Sequence, residues 1–157
     1  PLSYDARAEV MWASSLSHNG LTGCGTDGGD WACHKMEHEL SGLFDVAHGA
    51  GLAAVWGSWA RYVYHADAAR FARFAHKVMG VSGAGTHEEM AEKGIEAMEN
   101  FFRAIHMPTS LRELGVDPTE KQIREMAEKC HRTVGGPAGV ILPLQVEDIV
   151  EIYRRAR

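Results

Sequence analysis

The sequence predicts an all-α protein, a compact bundle of six to eight helices. Three observations predict it. Apolar residues recur at three- and four-residue intervals through most of the chain. Capping signatures stand where such stripes begin, at Thr86 with Glu89 and at Asp117 with Pro118. Alternating apolar and polar runs around a hairpin dipeptide are lacking, so no sheet is expected.

In chain order, Tyr4 to Asn19 reads as a helix stopped by Gly20. Leu21 to Asp30, with Gly23, Gly25, Gly28 and Gly29, is a loop. Asp30 is placed to cap a helix running through Leu40, which Ser41-Gly42 and Asp45 can end. Gly49 and Gly51 permit a close-packed return into a helix from Gly51 to His65, with His48 at its start. Phe71, Phe74, Ala75, Val78 and Met79 mark the next helix, stopped by Gly80. After the Thr86 capping box, Met90, Ala91, Gly94, Ile95, Met98, Phe101, Phe102 and Ile105 trace one face of a long helix.

Asp117 as N-cap and Pro118 at the first position open a helix whose buried stripe is Ile123, Met126, Ala127 and Cys130. Val134 to Leu144 is a loop; within it Val140-Ile141-Leu142 is the sole strand candidate, bracketed by Pro137 and Pro143. Val146, Ile149, Val150 and Tyr153 give a further helix with basic residues in its last turn, where they suit the dipole. Trp12, Trp31, Trp56 and Trp59 stand at helical positions, and core packing is expected for most of them, with Trp31 a candidate for a substrate cavity.

Composition narrows the function classes. The 157 residues are one domain's worth, with a formal net charge of −5 and no run of Lys or Arg. That argues against nucleic acid or an anionic membrane as partner. No apolar run approaches the ~20 residues of a membrane span, and the first residues form no signal peptide. Cys24, Cys33 and Cys130 are odd in number and lack metal-type spacing, which fits a reducing, cytoplasmic setting. The sequence starts Pro1-Leu2-Ser3-Tyr4 without Met, as a fragment or processed product would.

The histidines carry the chemistry. His34 and His38 are four apart on one helix, so their side chains leave the same face about a turn apart, a spacing at which two imidazoles can converge on one cation. Such a pair is more often a surface pair than a ligand set. His48 alters this. On a continuous helix it would lie roughly 21 Å from His34, at ~1.5 Å per residue. A break between Ser41 and Ala47 folds it back toward His34. Three histidines on a helix–turn–helix are then a candidate metal site, standing level with a structural role, and imidazole suits Fe, Zn, Ni and Cu.

Other readings share these residues. His34-x-x-Glu37-His38 is also the inverted zinc-metallopeptidase motif, with Glu37 as general base and Glu88, Glu89 or Glu92 as a third ligand. A non-catalytic helical interaction domain with structural histidines is the third reading. The glycine-rich loop lacks the strand and Lys of a phosphate-binding loop. Arg61, Arg70 and Arg73 read as a solvated face, and His65, His76, His87 and His131 have no partner pattern.

The stretch from His34 to Ala53, with H-x3-H, nine residues, then His48-Gly49-Ala-Gly51-Leu-Ala53, resembles the signature of the iron-containing alcohol dehydrogenases. Its flanks agree. Ala13 to Gly20 resembles the preceding helix of the family's butanol-dehydrogenase-like branch. Phe101 to Leu111 resembles its G-[IV]-P turn segment, with His106 where the family usually has Gly. Glu147 to Tyr153 resembles its C-terminal helix. The resemblance implies the helical C-terminal domain shared with dehydroquinate synthase-like enzymes. It also implies an NAD(P)-dependent alcohol dehydrogenase that interconverts alcohols and aldehydes by hydride transfer, as a homo-oligomer.

By resemblance, His34 and His48 are two of four ligands to Fe²⁺ or Zn²⁺, and His38 is a histidine beside metal and nicotinamide that orients the cofactor or relays a proton. The other two ligands, from an Asp-x3-His helix, and the nucleotide-binding domain are not found in residues 1–157. Asp30 has that spacing to His34 by coincidence and reads as a cap. A chain with this content is expected to fold, to lack turnover by itself, and to expose an apolar patch.

Overall fold

Helical periodicity organises the chain around one buried hairpin. The structure is a computed structural model that describes residues 2–26 and 28–157, so Pro1 and Asp27 of the glycine-rich loop lie outside the described residues. The α-helices are α1 (Tyr4–His18), α2 (Ala32–Phe44), α3 (His48–Val63), α4 (Ala68–Lys77), α5 (His87–Ala104), α6 (Leu111–Leu114), α7 (Glu120–Thr133) and α8 (Val146–Ala156), with single 3-10 turns at Leu21–Gly23 and Tyr64–Asp67. The architecture is all-α, as the stripes predict.

Helix α3 is the centre. It packs against α2, α5, α6 and α8, and its buried residues are small: Gly51, Ala53, Ala54, Gly57 and Ala60 sit beside Val55, Trp59 and Val63. Small residues let neighbouring helices come close. Helix α2 turns into α3 at Asp45, which adopts the left-handed region at φ 53° and donates its N–H to the Ser41 carbonyl. Asp tolerates that conformation better than most residues. Helix α8 lays Ile149, Val150, Ile152 and Tyr153 on the core. The fully buried Tyr153 hydroxyl donates to the Met36 carbonyl at 2.6 Å.

Two expectations about local structure are corrected. Helix α7 does not start at Asp117-Pro118. Its N-cap is Thr119, in a capping box with Gln122. The box satisfies two orphan donors reciprocally, where an Asp cap satisfies one, and Asp117 instead accepts from Arg157 at 3.0 Å. Asp30 is not the N-cap of α2, which is Trp31, but it still holds the helix start. Its Oδ1 accepts from the Ala32 N–H at 2.9 Å, and its Oδ2 accepts from the N–H groups of Val140 and Ile141 at 2.8 and 2.9 Å.

The tryptophans divide. Trp56 and Trp59 pack inside, against Phe74, Phe102 and Phe71, whereas Trp12 and Trp31 are exposed. No residue of α1 is buried. The strand candidate Val140 to Leu142 is the tip of a turn whose stem is a single antiparallel bridge between Ala138 and Leu144. No described helix is long and apolar enough to cross a membrane.

Candidate metal centre

The hairpin of α2 and α3 assembles the three histidines. His34 and His38 project from α2, and His48 is the first residue of α3. The His48 ring centroid lies 5.4 Å from that of His34 and 5.4 Å from that of His38. The sequence brings them together through the turn at Asp45.

Glu37 lies beneath this cluster. It is 0 % exposed. One carboxylate oxygen accepts from the Ser41 hydroxyl, one helical turn on, and the other meets His48 Nδ1. Ligand-type atoms of Glu37, His38 and His48 all lie within 4.8 Å of one another. Both Glu37 oxygens are already engaged, so the imidazoles are the better metal donors of this group. The close approach depends on Gly51. A Cβ there would stand 2.5 Å from Glu37 Oε1 and 2.9 Å from its Cγ. Gly49, by contrast, faces open space.

The electrostatics favour a neutral donor. Burial, then the rings of His48 and His38, hold the His34 imidazole below its ordinary range, against a partial counter-effect of the Glu37 carboxylate. A neutral imidazole keeps the lone pair that a metal needs. Cys33, next in the chain, is pushed far up by burial and by Glu37, so it stays a thiol and is a poor ligand.

Beside His34 opens a cavity of about 480 Å³, with walls that include Leu52, Trp56, Phe102, Ile105 and Met107. Trp31 is not part of that wall. It packs edge-on against His34, centroids 4.9 Å apart. His106, in the turn before Pro108, adopts a left-handed φ of 60°, a conformation that Gly adopts most readily.

The peptidase reading fails on geometry. A general base must reach a water molecule, and Glu37 is sealed from solvent. Two of the three candidates for the third ligand are also engaged elsewhere: Glu89 closes the α5 capping box, and Glu92 accepts from the Tyr64 hydroxyl at 2.7 Å. Glu88 is an exposed residue of the first turn of α5.

Two features escaped the sequence. The contact of Glu37 with His48 needs the facing of two helices, although the Gly51 spacing was its signal. The walls from Phe102 to Met107 come from a segment more than fifty positions away, and nothing local announces them.

A family model described as "Fe-containing alcohol dehydrogenase family, C-terminal" matches residues 2–157. The chain belongs to the iron-containing alcohol dehydrogenase family. Among its relatives, NADH-dependent butanol dehydrogenase A of Clostridium acetobutylicum is 36 % identical over 154 residues, covering 98 % of this chain and 39 % of the relative. The crystal structure of NADH-dependent butanol dehydrogenase A from Thermotoga maritima is 40 % identical, with a TM-score of 0.87 over 98 % of this chain and 39 % of that one. The aldehyde reductase YqhD of Escherichia coli is 30 % identical, with a TM-score of 0.89 over 100 % of this chain and 40 % of that one. The chain thus spans about two fifths of the length of these family members, and its helices follow their C-terminal helical domain.

Proposed function

We propose that residues 1–157 are the metal-binding domain of an NAD(P)-dependent alcohol dehydrogenase that interconverts alcohols and aldehydes. The observation that carries this reading is the convergence of three imidazoles, His34 and His38 each 5.4 Å from His48. The residues present fit a metal. The His34 imidazole is held below its ordinary range by burial, the rings come from two packed helices, and the Glu37 carboxylate beneath them is tied down.

In this reading His34 and His48 hold Fe²⁺ or Zn²⁺, and residues outside these 157 complete the ligand set and seat the NAD or NADP. Bound there, the ion supplies Lewis acidity toward an alcohol or aldehyde oxygen. The chain's own residues do the rest. Leu52, Trp56 and Phe102 give an apolar wall that receives the carbon chain and keeps water from it. His38, one turn from His34, orients the nicotinamide or holds a proton at its ring nitrogen. The names of the relatives, which refer to butanol and aldehydes, support a small apolar substrate.

The test is a Co²⁺ and Zn²⁺ titration of the purified chain, with His34→Ala and His48→Ala beside it. Binding that either substitution abolishes is expected. Binding unchanged in both variants overturns the site, and no binding in the parent chain favours a helical interaction domain. An assay with NADH or NADPH, Fe²⁺ and butanal is expected to show no turnover. Turnover matching a full-length relative would overturn the division of the enzyme proposed here.

A further inference from the structure

We infer that Glu37 is a positioning residue, whose buried carboxylate fixes His48 as the Nδ1–H tautomer and turns Nε2 toward the ion. The inference rests on His48 being a metal ligand, as proposed above, and adds the device that aims it.

The argument starts from what a buried carboxylate can accept. Glu37 is fully enclosed, with Ser41 Oγ on one oxygen and His48 Nδ1 on the other. An ionised carboxylate is acceptor-only. Ser41 can donate to one oxygen, and the remaining oxygen needs a second donor, which only a protonated Nδ1 provides. A neutral imidazole carries one N–H, so Nε2 is then the unprotonated nitrogen. In metal sites the ring nitrogen away from the ion regularly donates to a carboxylate, which fixes tautomer and orientation and raises ligand basicity.

Three structural features accommodate that contact. Gly51 omits the side chain that would stand 2.5 Å from Glu37 Oε1. Ser41 sits one turn along α2 and takes up the other oxygen. The turn at Asp45 starts α3 at His48, so the ring hangs over α2. Glu37 is not a ligand here: it has no free oxygen and no exposure through which to reach an ion shared with His34.

The experiment reads the tautomer directly, without metal. Long-range ¹H–¹⁵N correlation spectra of the chain are recorded at about pH 8.5, where free imidazoles are neutral. His48 is expected as Nδ1–H in the parent chain. In Glu37→Gln it is expected to shift to a mixture or to Nε2–H, and Zn²⁺ affinity is expected to fall about 10–100-fold. Gly51→Ala, which keeps the carboxylate but displaces it, should move both readouts the same way and serves if Glu37→Gln does not fold. Ser41→Ala should leave the His48 tautomer unchanged.

His48 found as Nε2–H in the parent, or as Nδ1–H in both Glu37→Gln and Gly51→Ala, overturns the inference. Absence of Zn²⁺ binding by the parent overturns the metal reading instead, and the tautomer spectra still decide the role of Glu37.

Discussion

Helix α3 omits a side chain at two places to admit a carboxylate from a neighbouring helix, and the two places differ in what the carboxylate meets. At Gly57 the visitor is Glu99 of α5, whose Oε1 would overlap a Cβ there. Its partner is Arg61, held at both guanidinium ends, with Nη2 to Oε2 at 2.8 Å and the Arg side chain 45 % exposed. At Gly51 the visitor is Glu37, with no exposure, and its hydrogen-bond partner is the imidazole of His48. The first pair joins a largely buried acid to a half-exposed arginine, so solvent screens it from one side. The second places a desolvated acid against a group that can lose its proton. An acid paired with Arg ties two helices together, whereas the same acid paired with an imidazole also decides which ring nitrogen is free.

The comparison can be broken by removing the acids. Glu37→Ala strands the Ser41 hydroxyl and His48 Nδ1 and should cost about 2–3 kcal/mol, read by urea denaturation of the metal-free chain. Glu99→Ala should cost clearly less. Equal losses would show that burial makes no difference between the two sites.

Next in size is refilling the notches. Gly51→Ala should cost about 1–3 kcal/mol, because Glu37 has nowhere to go. Gly57→Ala should cost under about 1 kcal/mol, because Glu99 can swing toward solvent with Arg61. The reverse order in the same denaturation experiment would contradict the reading of Glu99 as the freer side chain.

Salt gives a smaller and sharper contrast. Glu99→Gln should lose under about 1 kcal/mol at low salt and nothing measurable near ~1 M NaCl. The tautomer of His48 should be indifferent to salt, since its partner is buried. A salt-dependent His48 spectrum would mean that solvent reaches Glu37.

The smallest expected effect is none. A thiol reagent at pH 8 should count one cysteine, the exposed Cys24. Burial pushes the Cys130 thiol up to about 11, so roughly one part in a thousand is thiolate at pH 8, and reactivity should rise only as pH climbs toward 11. Burial pushes Cys33 up further, with Glu37 adding to it. Glu37→Gln should therefore leave the count at one, since burial is the larger cause. A count of three would show that the substitution opened the core.

Much of this was legible from residue spacing. The stripe of α5 and its Thr86–Glu89 box read directly, because both are local. The start of α7 was misplaced because Asp117-Pro118 and Thr119–Gln122 are both valid starts, and what separates them is the reciprocal box at Thr119 together with the pull of Arg157 on Asp117. His34, His38 and His48 were singled out by their spacing, the breakable segment between them and the signature they resemble, yet their distances depend on one residue, Asp45, accepting a left-handed turn. Glu37 read as a candidate base because its motif is local, while its burial is a property of α3 lying across it. Trp31 and Trp12 illustrate the same limit. Helical position says which residues share a face, not whether anything covers that face.

The hydrogen bond from Tyr153 to the Met36 carbonyl joins residues 117 positions apart, and it sets an order of assembly during synthesis. Helices α2 and α3 leave the ribosome together and can pair at once, as local contacts do. The floor beneath α2 waits for α7, which packs along it, and then for α8. Between Val63 and Tyr153 the ribosome adds ninety residues, roughly 5–20 s at typical elongation rates. Throughout that interval Met36 and Leu40 have an open side, which a nascent-chain chaperone can occupy. Ribosome-bound chains arrested before Val146 should accordingly be cleaved by protease within α2, and chains arrested beyond Ala156, once clear of the exit tunnel, should resist.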